Sequence, residues 1–333
     1  MMRRWMLALA LLVPALPAAA QPKTDTVSVA QTISLAQAAY YVALGKGYFE
    51  PERIAIDAAP QRGAQDTVAM LATGKLDVSI GAISAGFFNA EAQGLDLRAV
   101  AALGIQPSPR VATPSIVRKD LWDSGKVRSG KDFRGLKIAT NTVGVIPEYF
   151  LYLILEKYGM TMKDVDETVL GFPQMVVALK NKALDVGIMP DPFAATAVRE
   201  GIGAVVEPEA GVGAGEITTM VFFSGQFMRE HADVGLRFLR ALVRGARDTQ
   251  GAYNKKPDLV AALAKGTNLA PDAIEASTPS YFDPDLDITK YEDSIRRQET
   301  VYIKLGRVHY TTPLAMDKMV DATLVHKAAA SLK

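Results

Sequence analysis

Residues 71–80 read Leu-Ala-Thr-Gly-Lys-Leu-Asp-Val-Ser-Ile, and residues 179–188 read Leu-Lys-Asn-Lys-Ala-Leu-Asp-Val-Gly-Ile. Each is leucine, four residues, Leu-Asp-Val, one small residue and isoleucine, and the second begins 108 residues after the first. Self-similarity at a long fixed offset points to a supersecondary unit used twice. Upstream of the first copy the pattern alternates. A strand is expected over 27–30, helical spacing over 36–45 ending on Gly45 and Gly47, a strand over 54–58, a helix over 67–73 stopped at Gly74, and a strand over 77–80. This βαβαβ order implies a mainly parallel sheet with helices on both faces. Upstream of the second copy, residues 136–139 with Tyr149-Phe150 match residues 27–30 with Tyr40-Tyr41, offset by 109.

Two copies in one chain predict two lobes, and 333 residues is a length that divides rather than enlarging one core. Between the copies a strand over 97–103 leads into Gln106-Pro-Ser-Pro-Arg110, a proline-rich turn suited to a crossover. A second crossover is expected over 217–224, after Gly211-Val-Gly-Ala-Gly215, and the chain then returns through helices over 234–252, 291–305 and 314–330. Lobe I is therefore expected over 21–110 and 217–333, lobe II over 111–216, with a two-strand hinge and a cleft between them.

The N-terminus has its own reading. Arg3 and Arg4 precede an apolar run over 5–16, and Ala18-Ala19-Ala20 supplies a small-x-small cleavage pattern before Gln21. Residues 1–20 are expected to be a signal peptide, since so short a run falls short of the ~20 residues that span a bilayer. The expected location is the periplasm. Removing 1–20 leaves a net charge of −1, which argues against nucleic acid as a partner. The chain has no cysteine, so burial of its 49% hydrophobic residues must hold it together without disulfides.

Constellations for catalysis are sparse. His231, His309 and His326 lack metal-ligand spacing. Residues 81–86 have Gly-x-x-Ser-x-Gly spacing, which is not a nucleophile elbow. Asp283, Asp285 and Asp287 alternate like a calcium loop, but Ile288 and Ser294 occupy the sixth and twelfth positions and break that pattern. No catalytic residue, metal or cofactor is expected. Binding chemistry is better represented, because ligands of open α/β sheets sit beyond the carboxyl ends of the strands, where helices begin. Those positions nominate Gln31, Ser34, Arg62 and Ser84 from lobe I, and Asn141, Thr142, Gly144, Phe172 and Asp191 from lobe II. Several are helix N-termini, whose N–H groups favour an anion.

Ala43-Leu-Gly-Lys-Gly-Tyr-Phe49, Leu71-Ala-Thr-Gly-Lys-Leu-Asp77, Gly135-Leu-Lys-Ile-Ala139 and Asp191-Pro192-Phe193 resemble the nitrate/sulfonate/taurine family of ABC transporter periplasmic solute-binding proteins. The resemblance covers about residues 26–306. It implies an α/β type II periplasmic-binding-protein fold, closure of two lobes on a small anionic ligand, and docking to an inner-membrane ABC permease and its ATPase, with a monomer as the expected state. Family members that bind small oxyanions often carry Gly-Ser-Ser or Gly-Ser-Thr at the lobe II helix start. Here Gly144-Val-Ile-Pro147 stands in that place, which favours a larger ligand with an apolar or aromatic body and a carboxylate or sulfonate. Arg62 is the best counter-ion candidate, and Asp191 is assigned to a neutral donor of the ligand or to orienting Arg62. Two other readings stay open: a ligand-sensing protein for a membrane receptor, and an enzyme like the related thiamine-pyrimidine synthases. The latter depend on a cysteine-rich segment that this chain lacks.

Overall fold

The computed structural model describes residues 23–60, 65–108, 111–206 and 212–332. Among the described residues, ten strands form two five-stranded sheets. The first contains β1 (Asp25–Gln31), β2 (Ile54–Pro60), β3 (Val78–Gly81), β4 (Leu97–Ile105) and β10 (Ile217–Ser224), in the order β2-β1-β3-β10-β4. The second contains β5 (Ser115–Arg118), β6 (Lys137–Thr140), β7 (Asp166–Val169), β8 (Val186–Ile188) and β9 (Gly203–Val205), in the order β7-β6-β8-β5-β9. These sheets are the centres of lobe I and lobe II.

The repeated decapeptide marks the same device in both sheets. Leu76 and Leu184 are buried, and Val78 and Val186 pair with Val29 of β1 and Ile138 of β6. The aspartate between them reaches to the neighbouring strand. Asp77 Oδ2 accepts from Ser28 N at 2.8 Å, and Asp185 Oδ2 accepts from Lys137 N at 2.9 Å. A carboxylate at that point satisfies an amide that the ladder leaves over. Leucine fills the core, aspartate ties the strand starts and valine enters the sheet, which is why those three recur.

Each sheet is mainly parallel with one reversed strand. β10 lies antiparallel between β3 and β4, and β5 lies antiparallel between β8 and β9. β5 and β10 are the strands the chain forms directly after its two crossings between the sheets. A chain that leaves one sheet at its carboxyl edge and crosses the cleft must enter the other at that same edge and run away from it. The two connections touch: Gln106 N–H donates to Glu216 O at 2.8 Å, and Gly215 N–H to Gln106 O at 3.0 Å.

Both faces of the first sheet are covered. Along β10, Val221 and Phe223 enter one apolar cluster while Met220 and Phe222 enter the other, the period of two that a strand imposes. The helix Ile146–Lys157 joins the lobes. Ile146, Tyr149 and Phe150 from its first turns pack with lobe I residues including Phe88, Ile295 and Tyr302, whereas Leu151 and Leu155 serve the core of lobe II.

The expected tail helix over 314–330 is two helices, Met316–Met319 and Thr323–Ala330. Val320 bridges Ala99, and Asp321 N–H donates to Ala99 O, so the chain extends for a moment along the outer edge of β4. Thr323 N–H then donates to Asp321 Oδ1 and the helix restarts. The helix expected over 234–252 runs Ala232–Asp248. The Thr249 hydroxyl turns back to the Gly245 carbonyl, and Gly251 takes φ +67°. Among the described residues no helix is long and apolar enough to cross a membrane.

Candidate functional site

The carboxyl ends of β1, β3, β6 and β8 converge on a cavity of about 320 Å³ between the sheets. Lobe I supplies Gln31, Thr32, Ile33, Ser34, Ala36, Gly81 and Ala82. Lobe II supplies Asn141, Val145, Ile146, Pro147, Phe172, Pro190 and Phe193, and Thr113, Thr218 and Thr219 lie at the crossing between them. The volume falls in the range that holds a small ligand, ~300–1,000 Å³.

The lobe I wall is a fixed polar turn. Thr32 Oγ1 accepts from the Nε2 of fully buried Gln37 at 2.6 Å, and the Tyr41 hydroxyl donates to Thr32 O at 2.7 Å. Ser34 Oγ accepts from Ala36 N at 3.2 Å. Thr219 Oγ1 donates to Ala36 O while accepting from Gly104 N, both at 2.8 Å. A Cβ on Gly104 would lie 2.4 Å from the Ala36 carbonyl oxygen, so that approach of β4 to the turn requires glycine. The hydroxyls of Thr32 and Ser34 are thereby held at the cavity face.

The lobe II wall is apolar and aromatic. Phe172 and Phe193 open two successive helices, Phe172–Lys180 and Phe193–Arg199, and their ring centroids lie 5.6 Å apart at an interplanar angle of 32°. Among the described residues lining the cavity no side chain is charged. Gln31 Oε1 and Asn141 Oδ1, one from each lobe, are buried without a hydrogen-bond partner among the described residues. A buried amide left unpaired costs ~1–3 kcal/mol, which a ligand bridging the lobes would recover.

Of the nine nominated residues, Gln31, Ser34, Asn141 and Phe172 line this cavity. Arg62 lies outside the described residues. Four stand elsewhere. Ser84 is fully buried and caps the helix Ala85–Ala92 by accepting from Phe87 N at 3.2 Å. Thr142 is half-buried beside Asn141 but off the cavity wall. Gly144 lies in the contact between lobes: its carbonyl accepts from Ala85 N at 2.8 Å and its N–H donates to Glu148 Oε2 at 2.6 Å. Asp191 is buried with both oxygens engaged, accepting from Ala195 N at 2.9 Å and Thr278 N at 2.6 Å. Burial raises its carboxyl above the usual aspartate range against the pull of those two amides. A helix-start aspartate reads in sequence like a ligand contact, but here its own helix and the other lobe use it.

Phe193, Val145, Ile146 and Pro147 complete the lobe II wall, and Thr113, Thr218 and Thr219 the crossing. The threonines carry no local signal, because their place follows from where two distant connections meet. Glu148 and Arg307 were not among the nominated residues. Fully buried Glu148 receives Arg307 Nε on Oε1 at 2.9 Å, with Arg307 arriving from the segment after the helix Glu292–Lys304. An acidic residue in a first helical turn was the signal available for Glu148.

Two five-stranded sheets with order 2-1-3-n-4, each with one reversed strand and a cavity at their facing carboxyl edges, define the type II periplasmic-binding-protein architecture. Residues 35–254 match the model of the NMT1/THI5-like family, and the chain belongs to that family. Among solved structures, the alkanesulfonate-binding protein SsuA from Xanthomonas axonopodis pv. citri, bound to MOPS, is similar at 18% identity and a TM-score of 0.66, covering 93% of this chain and 99% of that one. The periplasmic aliphatic sulphonate-binding protein SsuA from Escherichia coli aligns at 16% identity and 0.70, covering 89% and 92%. The periplasmic nitrate-binding protein NrtA from Synechocystis PCC 6803 aligns at 14% and 0.74, covering 93% and 89%. No curated protein sequence matches the chain. These three proteins are named for binding a sulfonate or nitrate, in keeping with the expectation of a binding protein rather than an enzyme.

Proposed function

We propose that the chain is the periplasmic solute-binding component of an ABC importer, which captures a small organic anion between its lobes and delivers it to a membrane permease and its ATPase. The observation that carries this reading is the cavity itself, walled from both lobes at the carboxyl edges of both sheets. On this reading residues 1–20 are the export signal, 21–110 and 217–333 form lobe I, and 111–216 form lobe II. The acidic group of the ligand faces lobe I, where Thr32 and Ser34 present hydroxyls, and Arg62, outside the described residues, is its proposed counter-ion. Its apolar or aromatic body rests on Phe172, Phe193 and Pro190. Contacts drawn from both lobes exist together only when the cleft is shut, so binding favours the closed form.

The test is native mass spectrometry of freshly purified protein, followed by thermal shift with aryl carboxylates, aryl sulfonates, neutral sugars and organic cations. A ligand at 100 times its Kd adds ~2.7 kcal/mol of stability. Stabilisation by the aryl acids alone is expected. Stabilisation only by uncharged or cationic solutes would defeat the assignment.

A further inference from the structure

The polar side chains of the two cavity walls have donors left to give. Gln31 ends β1, Asn141 follows β6, and both line the cavity. Each turns its carbonyl oxygen into the protein, where Oε1 and Oδ1 are buried beyond the reach of anything in the cavity. The NH2 of each amide is the end that a ligand can meet, and neither has an acceptor among the described residues. Turning either amide over would bury two N–H groups without an acceptor in place of one oxygen, the worse arrangement. The lobe I hydroxyls have the same polarity. Thr32 Oγ1 already accepts from Gln37 Nε2, and Ser34 Oγ from Ala36 N, so each keeps its O–H for a ligand. At the crossing, by contrast, Thr218 and Thr219 give their protons to Gly104 O and Ala36 O.

We propose that the ligand carries two acceptor groups and that Asn141 selects the second. Its acid is received by Thr32, Ser34 and Gln31 of lobe I. A neutral acceptor at the other end, such as a carbonyl oxygen, takes the NH2 of Asn141 in lobe II. The body between them rests on Phe172 and Phe193. A primary aryl amine donates and accepts poorly, so at Asn141 it would set N–H against N–H and leave both desolvated without partners. The inference rests on the capture reading above and adds to it the second functional group of the ligand.

Benzoates and benzenesulfonates carrying acetyl, ethyl or amino at the meta or para position test it, by calorimetry on the purified protein. In the series that binds best, the acetyl compound is expected to bind ~3–10-fold more tightly than the ethyl one, the worth of one neutral hydrogen bond. The amino compound should bind most weakly. Asn141→Asp keeps the shape of the side chain and replaces NH2 with an acceptor. Its added charge weakens all three acids alike, so the order is the readout, and the amino compound should now bind best. Q31E sets a carboxylate against the acid and should weaken all three at least ~10-fold without changing their order. An amino compound that binds the wild-type protein as tightly as the acetyl one overturns the proposal, as does an order that N141D leaves unchanged. If N141D does not fold, the wild-type order alone decides. Acids that bind with ethyl equal to acetyl would remove the second acceptor and leave organic-acid capture standing. No binding by any of the acids would remove the capture reading and this inference with it.

Discussion

The two lobes start from one unit and end in different chemistry. Asp77 and Asp185 perform the same tie at the root of each sheet, yet the cavity faces diverge. Lobe I ends its strands in a turn of hydroxyls and amides pinned by Gln37, Tyr41 and Thr219. Lobe II ends its strands in two aromatic rings, with the carboxylates of Glu148 and Asp191 taken up by backbone amides. The two lobes thus agree where their sheets must pack and differ where they face the cavity. Their buried glutamates show the same contrast. Glu148 of lobe II has both oxygens bonded. Glu91 of lobe I has one oxygen without a partner, and its other is 3.4 Å from Arg98.

The hardest way to break the comparison is at Glu148. Removing Glu148 takes the acceptor from Gly144 N–H and the nearer carboxylate from Arg307, so Glu148→Ala should cost ~3–5 kcal/mol in denaturant unfolding. Next come the aromatic rings. Phe172→Ala and Phe193→Ala should each weaken binding of an aryl acid by ~1.5–3 kcal/mol in calorimetry, leaving overall stability nearly unchanged because both rings are only half-buried.

The repeated aspartates then allow a direct comparison. Asp77 Oδ2 accepts from both the N–H and the hydroxyl of Ser28, at 2.8 and 2.7 Å, and that hydroxyl accepts in turn from Asp77 N–H. Asp185 accepts from Lys137 N–H and pairs with Arg118 at 3.1 Å, closer to solvent. Asp77→Ala should cost ~2–3 kcal/mol and Asp185→Ala ~1–2 kcal/mol. Equal losses would show that the two ties are interchangeable.

The smallest effect has the opposite sign. Burial pushes the Glu91 carboxyl up to about 8, with Asp96 adding to the shift and Arg98 opposing it. The folded protein therefore holds a proton that the unfolded chain, titrating near 4.5, has released. Stability from this group is fully present below pH 4.5 and is lost as pH rises through about 8. Glu91→Gln should flatten that part of the stability profile. At pH 9 it should gain ~1 kcal/mol, kept small because solvent reaches Arg98 and screens the pair. A profile of equal slope in both proteins would rule out Glu91 as its source.

Sheet-level organisation was legible because it is written in local periodicity and in a repeat. Leu76-Asp77-Val78 and Leu184-Asp185-Val186 each play a role that recurs wherever a helix feeds a parallel strand. Part of the cavity wall was legible for the same reason, since Gln31, Ser34, Asn141 and Phe172 follow strand ends. Asp191 and Gly144 misled because a strand-end position says where a residue is, not which neighbour claims its hydrogen bonds. Arg307 lies 159 positions from Glu148 in sequence, and no local pattern announces such a pairing. The break at Val320 was hidden likewise, since an otherwise helical tail gives way only because β4 offers an open edge.

The place of β10 has a consequence for the order in which the protein can be assembled. Strands β5 to β9 are contiguous, so the sheet of lobe II is complete in chain order by Val205. Lobe I begins earlier, yet β3 and β4 have no strand between them until residues 217–224 have been made. Until then Ile80 and Leu103 flank an open gap, and the sheet that starts first is finished second. A chain built this way keeps its N-terminal half unclosed through most of its synthesis, the condition under which a polypeptide can still be threaded across a membrane.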